Sequence, residues 1–421
     1  MKTPPPEQGR DFADLLSVID VAASKAFDTT GPGYMAFIPS GGLYTAAIAS
    51  WLAAITNRYV TIAATAPPFV AVEASVVRWL CDLFSLGVGA QGILTSGGSM
   101  ANFSAIVTAR AHLQGESFAH GTIYVTEHTH QSVEKAALIA GFPRRAISIV
   151  GCTPNLAMDP AALSASARAD RAAGRRPFLV VASAGTTNTG AVDPLDVIAD
   201  IATDEDLWMH VDAAYGGFFQ LTDRGRAFFA GIERSDSITL DPHKGMFLPY
   251  GIGALVVRDG ELLRSAHQVE AHYLQDLNDD HGIPNFTDYS PELTRDFRGL
   301  QVWLPLHLHG VGAFRTVLDE KLDLTKILYE GLSGDDNLEV PWEPSLSTVA
   351  FRLQDGSDAA NRALLENINA SGRVYLSSTV LDGRFTLRVC ILAHRTHRVR
   401  VDEAMEIIRK EASALSKVSL S

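Results

Sequence analysis

The chain has 421 residues, 47% of them hydrophobic, enough apolar mass for one large domain and a smaller one. A formal charge of −13 and a pI near 5.4 argue against nucleic acid and anionic membranes as partners, and no basic run offers a local exception. The N-terminus, Met1-Lys-Thr-Pro-Pro-Pro-Glu7, lacks the apolar core of a signal peptide. The most apolar stretch, Leu43 to Ile55, is shorter than the roughly 20 residues that span a bilayer. Cys81, Cys152 and Cys390 are scattered in apolar surroundings and read as buried thiols of a reducing cytoplasm, not as disulfides or metal ligands. His128 and His130 form an H-x-H that could chelate a metal, but no second cluster of ligands accompanies it, so no metal is expected.

In chain order, Phe12 to Phe27 has the apolar spacing of an amphipathic helix and is broken by Asp28-Thr-Thr-Gly-Pro-Gly33. Tyr34 to Gly42 is extended. Leu43 to Thr56 and Val72 to Leu86 read as helices apolar almost all round, which places them in a core or at a subunit contact. Strands then alternate with helices. The strands are Ile93–Thr95, Thr122–Thr126, Ala146–Val150, Phe178–Ala184, Trp208–Ala213, Ser237–Leu240 and Gly253–Val257. The helices are 101–113, 132–140, 160–173 and 194–203. This alternation predicts an α/β domain with a largely parallel sheet, whose ligands sit at the carboxyl ends of the strands. Ala271 to Phe297 is polar and aperiodic, as expected of a lid or a disordered loop. Helix resumes at Leu300. From about Gly334 a smaller α/β unit follows, with strands at Ser347–Leu353, Val374–Ser377 and Phe385–Leu392 and helices at 359–370 and 401–415.

The chemistry gathers at strand ends. Asp-Pro stops the strand Ser237–Leu240 and presents His243 and Lys244. A lone lysine there would be a surface residue. A desolvated one is an amine with lowered pKa, suited to Schiff-base formation. Asp212 ends an apolar strand, where a carboxylate either caps a turn or is held for a cationic partner. Ser96-Gly-Gly-Ser99 precedes a helix. By itself it is a glycine turn with an N-cap, but it also offers the backbone donors of a phosphate cradle, and it is neither GxGxxG nor a P-loop. His130 either begins a helix or stacks on a planar ligand. An anion cradle, a buried carboxylate, a flat ring and an activated lysine together match what pyridoxal phosphate requires.

Thr95-Ser-Gly-Gly-Ser-Met-Ala-Asn102, His130-Gln-Ser-Val-Glu-Lys-Ala136, Gly185-Thr-Thr187, His210-Val-Asp-Ala-Ala-Tyr215 and Asp241-Pro-His-Lys244 resemble, in order, the group II pyridoxal-phosphate decarboxylases, nearest to the aromatic-L-amino-acid decarboxylase branch. The resemblance runs from about Gly33 to Arg398. It implies fold type I, with a large, mostly parallel seven-stranded domain and a smaller C-terminal α/β domain. The divisions implied are an arm at a dimer interface (1–43), a cofactor domain (44–310) and a small domain (311–421). It implies a homodimer with the site at the interface. It further implies a Lys244 Schiff base, Asp212 on the pyridine nitrogen, His130 stacked on the ring and Ala214 on its face. Gly97, Gly98, Ser99 and His243 would be at the phosphate, and Thr187 near the ring hydroxyl. Tyr289 would be the lid tyrosine that returns a proton to Cα, and Tyr34, Phe37, Pro39 and Phe69 a substrate pocket. The activity implied is decarboxylation of an L-amino acid, aromatic in this branch, to the amine and carbon dioxide. Decarboxylation with deamination to an aldehyde, transamination, and a silent cofactor-binding protein remain alternatives.

Overall fold

The computed structural model of the protein describes residues 4–113, 118–269 and 282–419. Helix α1 (Phe12–Ser24) starts at Asp11, whose carboxylate accepts the Ala13 N–H at 2.8 Å, and none of its residues is buried. Helix α2 (Tyr44–Thr56) buries only Ala46 and Ala49 and leaves Trp51 and Ile55 about 60% exposed. Of the two places expected for this apolar helix, the core is therefore ruled out. Helix α3 (Pro67–Leu83) starts before Val72, because Pro67 and Pro68 occupy a first turn that needs no N–H donors.

The predicted alternation follows as β1 (Gln91–Thr95), α4 (Gly98–His112), β2 (Gly121–Thr126), α5 (Gln131–Ile139), β3 (Ile147–Val150), α6 (Pro160–Ala172), β4 (Arg176–Ser183), α7 (Leu195–Asp204), β5 (Trp208–Asp212), α8 (Asp223–Phe228), β6 (Ser237–Leu240), α9 (Pro242–Gly245), β7 (Gly253–Val257) and α10 (Gly260–His267). The short α8, α9 and α10 escape sequence periodicity because four to eight residues are too few to display it. The seven strands form one sheet in the order β1-β7-β6-β5-β4-β2-β3. Strand β7 is antiparallel to both neighbours, β1 and β6, and the remaining pairings are parallel. The other six strands thus present their carboxyl ends at one edge, where such sheets place ligands.

Helix α11 (Gly299–Ser333) is broken at Gly310, whose φ of 74° lies outside the helical region. Beyond it come β8 (Leu338–Glu339), β9 (Thr348–Leu353), α12 (Asp358–Ala370), β10 (Ser377–Leu381), β11 (Arg384–Cys390) and α13 (Arg398–Ser419). The four strands form an antiparallel sheet, β10-β11-β9-β8, over a second apolar core that includes Met35, Leu328, Phe351, Leu387 and Ile408. The strand expected at Val374–Ser377 is displaced. The Asn369 side chain donates to the Leu376 carbonyl and accepts the Leu376 N–H, and Tyr375 bridges to Tyr34 instead. Strand β10 then begins at Ser377 and turns into β11 through Asp382-Gly383, both at positive φ, the geometry of a two-residue hairpin.

Of the segment expected to be a lid, residues 270–281 lie outside the described residues. The remainder is anchored. Phe286 is fully buried beneath the Arg295 guanidinium, 4.8 Å from its ring centroid. Arg295 pairs with Glu73 of α3, both side chains being out of contact with solvent. Glu73 also accepts the Gly299 N–H at 3.1 Å. Arg298 grips Glu292 with two hydrogen bonds and donates to the Leu94 carbonyl at 3.2 Å. The segment is thereby tied to β1 one residue before its carboxyl end.

Removing one member of a dry ion pair leaves a buried charge unpaired, whereas removing both does not. Arg295→Met is expected to destabilise the fold by about 3–5 kcal/mol. The double variant Glu73→Leu/Arg295→Met is expected to recover part of that loss in urea unfolding.

Candidate active site

The carboxyl ends of β1, β2, β4, β5 and β6 converge on a cavity of about 270 Å³. Its floor is the turn from β1 into α4. Gly97 has φ 148°, a conformation costly for any residue with a Cβ. A Cβ on Gly98 would meet Asp241 Oδ2 at 2.9 Å and the Ala214 methyl at 3.2 Å. These glycines let the backbone pass close under the cavity, so the amino end of α4, with its unpaired N–H groups and positive dipole end, opens into it beside Ser99.

Asp212 is the last residue of β5 and is buried. Its Oδ1 accepts the Ala214 N–H at 3.1 Å and its Oδ2 accepts Asn102 Nδ2 at 2.9 Å. Asn102 lies one turn into α4 and also donates to Ser132 Oγ at 2.9 Å. Its Oδ1 lies 3.0 Å from His210 Nε2 and can only accept, so His210 carries its proton on Nε2. His210 Nδ1 then accepts from Ser237 Oγ at 2.8 Å, and that oxygen accepts Trp208 Nε1–H at 2.8 Å. Burial, outweighing the nearby Asp212 carboxylate, lowers the His210 pKa to about 4, which keeps the imidazole neutral. A directed chain from Trp208 to Asp212 therefore holds the carboxylate in place.

His130 is the N-cap of α5. Its Nδ1 accepts the Ser132 N–H at 3.2 Å and lies 2.7 Å from Ser132 Oγ. Burial pulls its pKa below the ordinary value, with Asp212 opposing and Lys244 reinforcing the shift. The Lys244 amine lies 2.9 Å from Asp241 Oδ2, so the lysine exposed by Asp-Pro is held by the aspartate three residues before it. The Asp241 Oδ1 atom is buried with no hydrogen-bond partner. His243 donates Nδ1–H to the Ile252 carbonyl at 2.5 Å. Thr187 lines the opposite wall, where its carbonyl accepts from Arg388 at 2.5 Å.

The fold thus brings together on one cavity every residue predicted to hold the cofactor: Gly97, Gly98, Ser99, His130, Thr187, Asp212, Ala214, His243 and Lys244. Their chemistry fits a phosphorylated pyridine aldehyde. There is an anion cradle, a fixed carboxylate acceptor, an imidazole face, an amine and, in Asp241 Oδ1, a buried acceptor still in need of a donor. Asn102, Ser132, His210 and Asp241 are site residues to which sequence reading gave no role. For His210 the signal was present, because i and i+2 on a strand share a face, so His210 sides with Asp212. Asn102 meets them only through the packing of α4 on the sheet.

Other predicted residues do not reach the cavity within one chain. Tyr289 is half-buried near Arg264 and hydrogen-bonds Gln91, the residue at the far end of β1 from the site. The Arg295 anchor holds the segment there. Tyr34 stacks on Tyr375 with centroids 5.8 Å apart, and Phe69 packs edge-on against Phe297. Pro39 is not on the cavity wall either. Phe37 is closer in effect. It sits at φ 52°, its ring is exposed, and its carbonyl accepts from the same Arg388 that holds Thr187.

A family model described as the pyridoxal-dependent decarboxylase conserved domain matches residues 6–354. An aromatic-L-amino-acid decarboxylase of Bacillus atrophaeus is 32% identical, over 99% of this chain and 88% of its own. An L-2,4-diaminobutyrate decarboxylase of Rhizobium meliloti is also 32% identical, over 98% and 84%. The structure of Oryza sativa TDC with PLP and tryptamine superposes with a TM-score of 0.93 at 27% identity, covering 98% of this chain and 90% of that one.

His210 gives a pH test. Its folded pKa lies below the ordinary value near 6.5, so the unfolded chain takes up a proton that the native one refuses. His210 therefore costs stability progressively as pH falls from about 6.5 to about 4. Asp193, raised to about 6 by burial, acts in the opposite direction over an overlapping window, so the test is a difference. His210→Asn should lose less stability than the wild type between pH 6.5 and pH 4 in paired urea titrations.

Proposed function

The chain belongs to the pyridoxal-dependent decarboxylase family and is a carboxy-lyase that uses pyridoxal phosphate on an amino acid, and on that premise we propose how its residues divide the work. The bound cofactor supplies an aldehyde that condenses with amines and a cationic ring that accepts the electron pair left when a carboxylate departs as carbon dioxide. Gly97, Gly98 and Ser99 bind the phosphate through the amino end of α4, with His243 beside them. Asp212, fixed by Asn102 and the Ala214 N–H, holds a proton on the ring nitrogen. Each unit by which it raises that nitrogen's pKa is worth about 1.4 kcal/mol. His130 and Ala214, both on the cavity wall, would hold the ring. Lys244 would hold the cofactor through its amine, and Asp241, 2.9 Å from that amine, orients it. The observation that carries this reading is the buried Asp212 carboxylate, aimed by a chain of neutral hydrogen bonds at a cavity whose wall includes an amine.

Within one chain Lys244 presents an amine on the cavity wall, whereas Tyr289 lies at the far end of β1 against Gln91. We therefore assign the return of the proton to Lys244 Nζ. An aromatic substrate is supported by the exposed Phe37 ring beside the Arg388–Thr187 wall and by the relative from Bacillus atrophaeus. The relative from Rhizobium meliloti makes a diamino acid the competing substrate. Among the described residues no helix is long and apolar enough to cross a membrane, and three free thiols support a cytoplasmic setting.

The deciding experiment incubates the holoenzyme with aromatic, acidic and diamino acids and measures carbon dioxide, amine, aldehyde and ammonia together. Equal carbon dioxide and amine are expected from an aromatic substrate, with turnover abolished in Lys244→Ala and reduced by orders of magnitude in Asp212→Ala. Unimpaired turnover in Lys244→Ala overturns the assignment. Tyr289→Phe should still give amine; a shift to aldehyde and ammonia would restore the tyrosine as proton donor.

We also propose a homodimer closed over α1 and α2. Phe12 and Ile19 of α1 and Trp51 and Ile55 of α2 are all at least 60% exposed, an apolar display that soluble monomers rarely carry. Sedimentation should give a dimer for the wild type and a monomer for Ile19→Asp/Trp51→Asp.

A further inference from the structure

The turns after β2 and β3 carry donor groups that the active site does not use. These strands are parallel neighbours, with Thr126 in register with Val150, so the chains leaving their carboxyl ends emerge side by side. One delivers Glu127 and His128, the other Cys152. A Glu127 carboxylate oxygen, a His128 ring nitrogen and Cys152 Sγ all lie within 4.8 Å of one another. The sequence separates Cys152 from His128 and makes it an inert buried thiol; the register of two strands removes that separation.

Among the described residues only one of the three groups has a partner outside the cluster: the Cys152 thiol meets the Thr126 side chain. Among the described residues Glu127 has no cationic partner, and the His128 ring makes no hydrogen bond although His128 is only 6% exposed. Asp382 and Asp193 add negative charge nearby. Asp193 itself is not a free ligand, since its two oxygens accept the Met158 and Ser183 N–H groups. Burial lowers the pKa of His128, leaving a neutral imidazole with a lone pair to give. Burial likewise raises that of Cys152, so the thiol keeps its proton until a cation displaces it.

We propose that Glu127, His128 and Cys152 form a binding site for a zinc-class divalent cation, next to the cofactor cavity but separate from it. One oxygen, one nitrogen and one sulfur suit zinc, with water as the fourth ligand, and do not suit magnesium or calcium, which demand oxygen. Donors of a tetrahedral zinc site stand roughly 3.4–3.8 Å apart, so closing this set takes side-chain movement of about an ångström. Both backbones are already braced. The Cys152 turn is a small hairpin, with Thr153 N–H on the Ala157 carbonyl at 2.8 Å and Asp159 N–H on the Gly151 carbonyl at 3.0 Å. The His128 N–H is held by Thr126 Oγ1 at 3.2 Å. Binding breaks the Cys152 S–H bond, forms a metal–thiolate bond and releases one proton to solvent. Because His130 follows His128 by two residues, the cation would tie the turn carrying that imidazole to the hairpin after β3.

The test uses chelator-treated holoenzyme. Zinc is titrated calorimetrically in two buffers of different ionisation enthalpy. Cobalt is titrated while following the visible ligand-field bands of a tetrahedral thiolate complex, which lie at longer wavelength than cofactor absorption. One ion per chain, release of one proton, tetrahedral cobalt bands and a higher Tm with zinc are expected. Cys152→Ser should abolish the bands and weaken zinc by about tenfold or more. Glu127→Gln, a change at an exposed position, should weaken zinc without altering Tm in its absence. Zinc affinity unchanged in both variants, or wild-type cobalt spectra that lack tetrahedral bands, would overturn the proposal.

Discussion

A carboxylate at the end of a central strand is expensive unless something satisfies it, and Asp212 has no ion-pair partner among the described residues. Its cost is met by polar groups supplied from three directions: the Ala214 N–H, Asn102 from α4 and, behind Asn102, His210 on its own strand. Every member of that chain is neutral, so the negative charge stays on Asp212 and is not cancelled before a cationic ring arrives. A lysine in the place of Asn102 would have satisfied Asp212 permanently and removed it from chemistry. The one amine of the cavity is instead paired with Asp241, which keeps the two charges of opposite sign apart until a substrate requires both.

This arrangement depends on the strand order. Six strands end at one edge, and β7 enters that edge between β1 and β6. The β1–α4 turn and the β6–α9 turn are thereby drawn together, which is why a Cβ on Gly98 would collide with Asp241. The dry Glu73–Arg295 pair and the Arg298 contacts to Leu94 secure the same region from outside. The β1 end thus receives its cradle geometry from the sheet and its rigidity from the segment before α11.

The parts of the site legible in the sequence share one property: each is a short motif bound to a strand end. Lys244 after Asp-Pro, Asp212 after an apolar run and two glycines before a helix could be read because local chemistry marks them. The Asp382-Gly383 hairpin is equally marked, and the strand it closes begins at Ser377, three residues after the expected Val374. Tyr289 is a different case. Its sequence position suits a lid, but burial of Phe286 and Arg295 outweighs that suggestion and holds it against Gln91.

By itself the sequence determined the longer elements, the seven strands of the main sheet, the cofactor and the family, because hydrophobic period, turn residues and motif chemistry are local quantities. Tertiary structure alone decided which side chains meet. Asn102 reached Asp212, and Cys152 reached His128, through strand order and register. Those are set by the burial of whole faces over dozens of residues, and no short stretch of the chain records them.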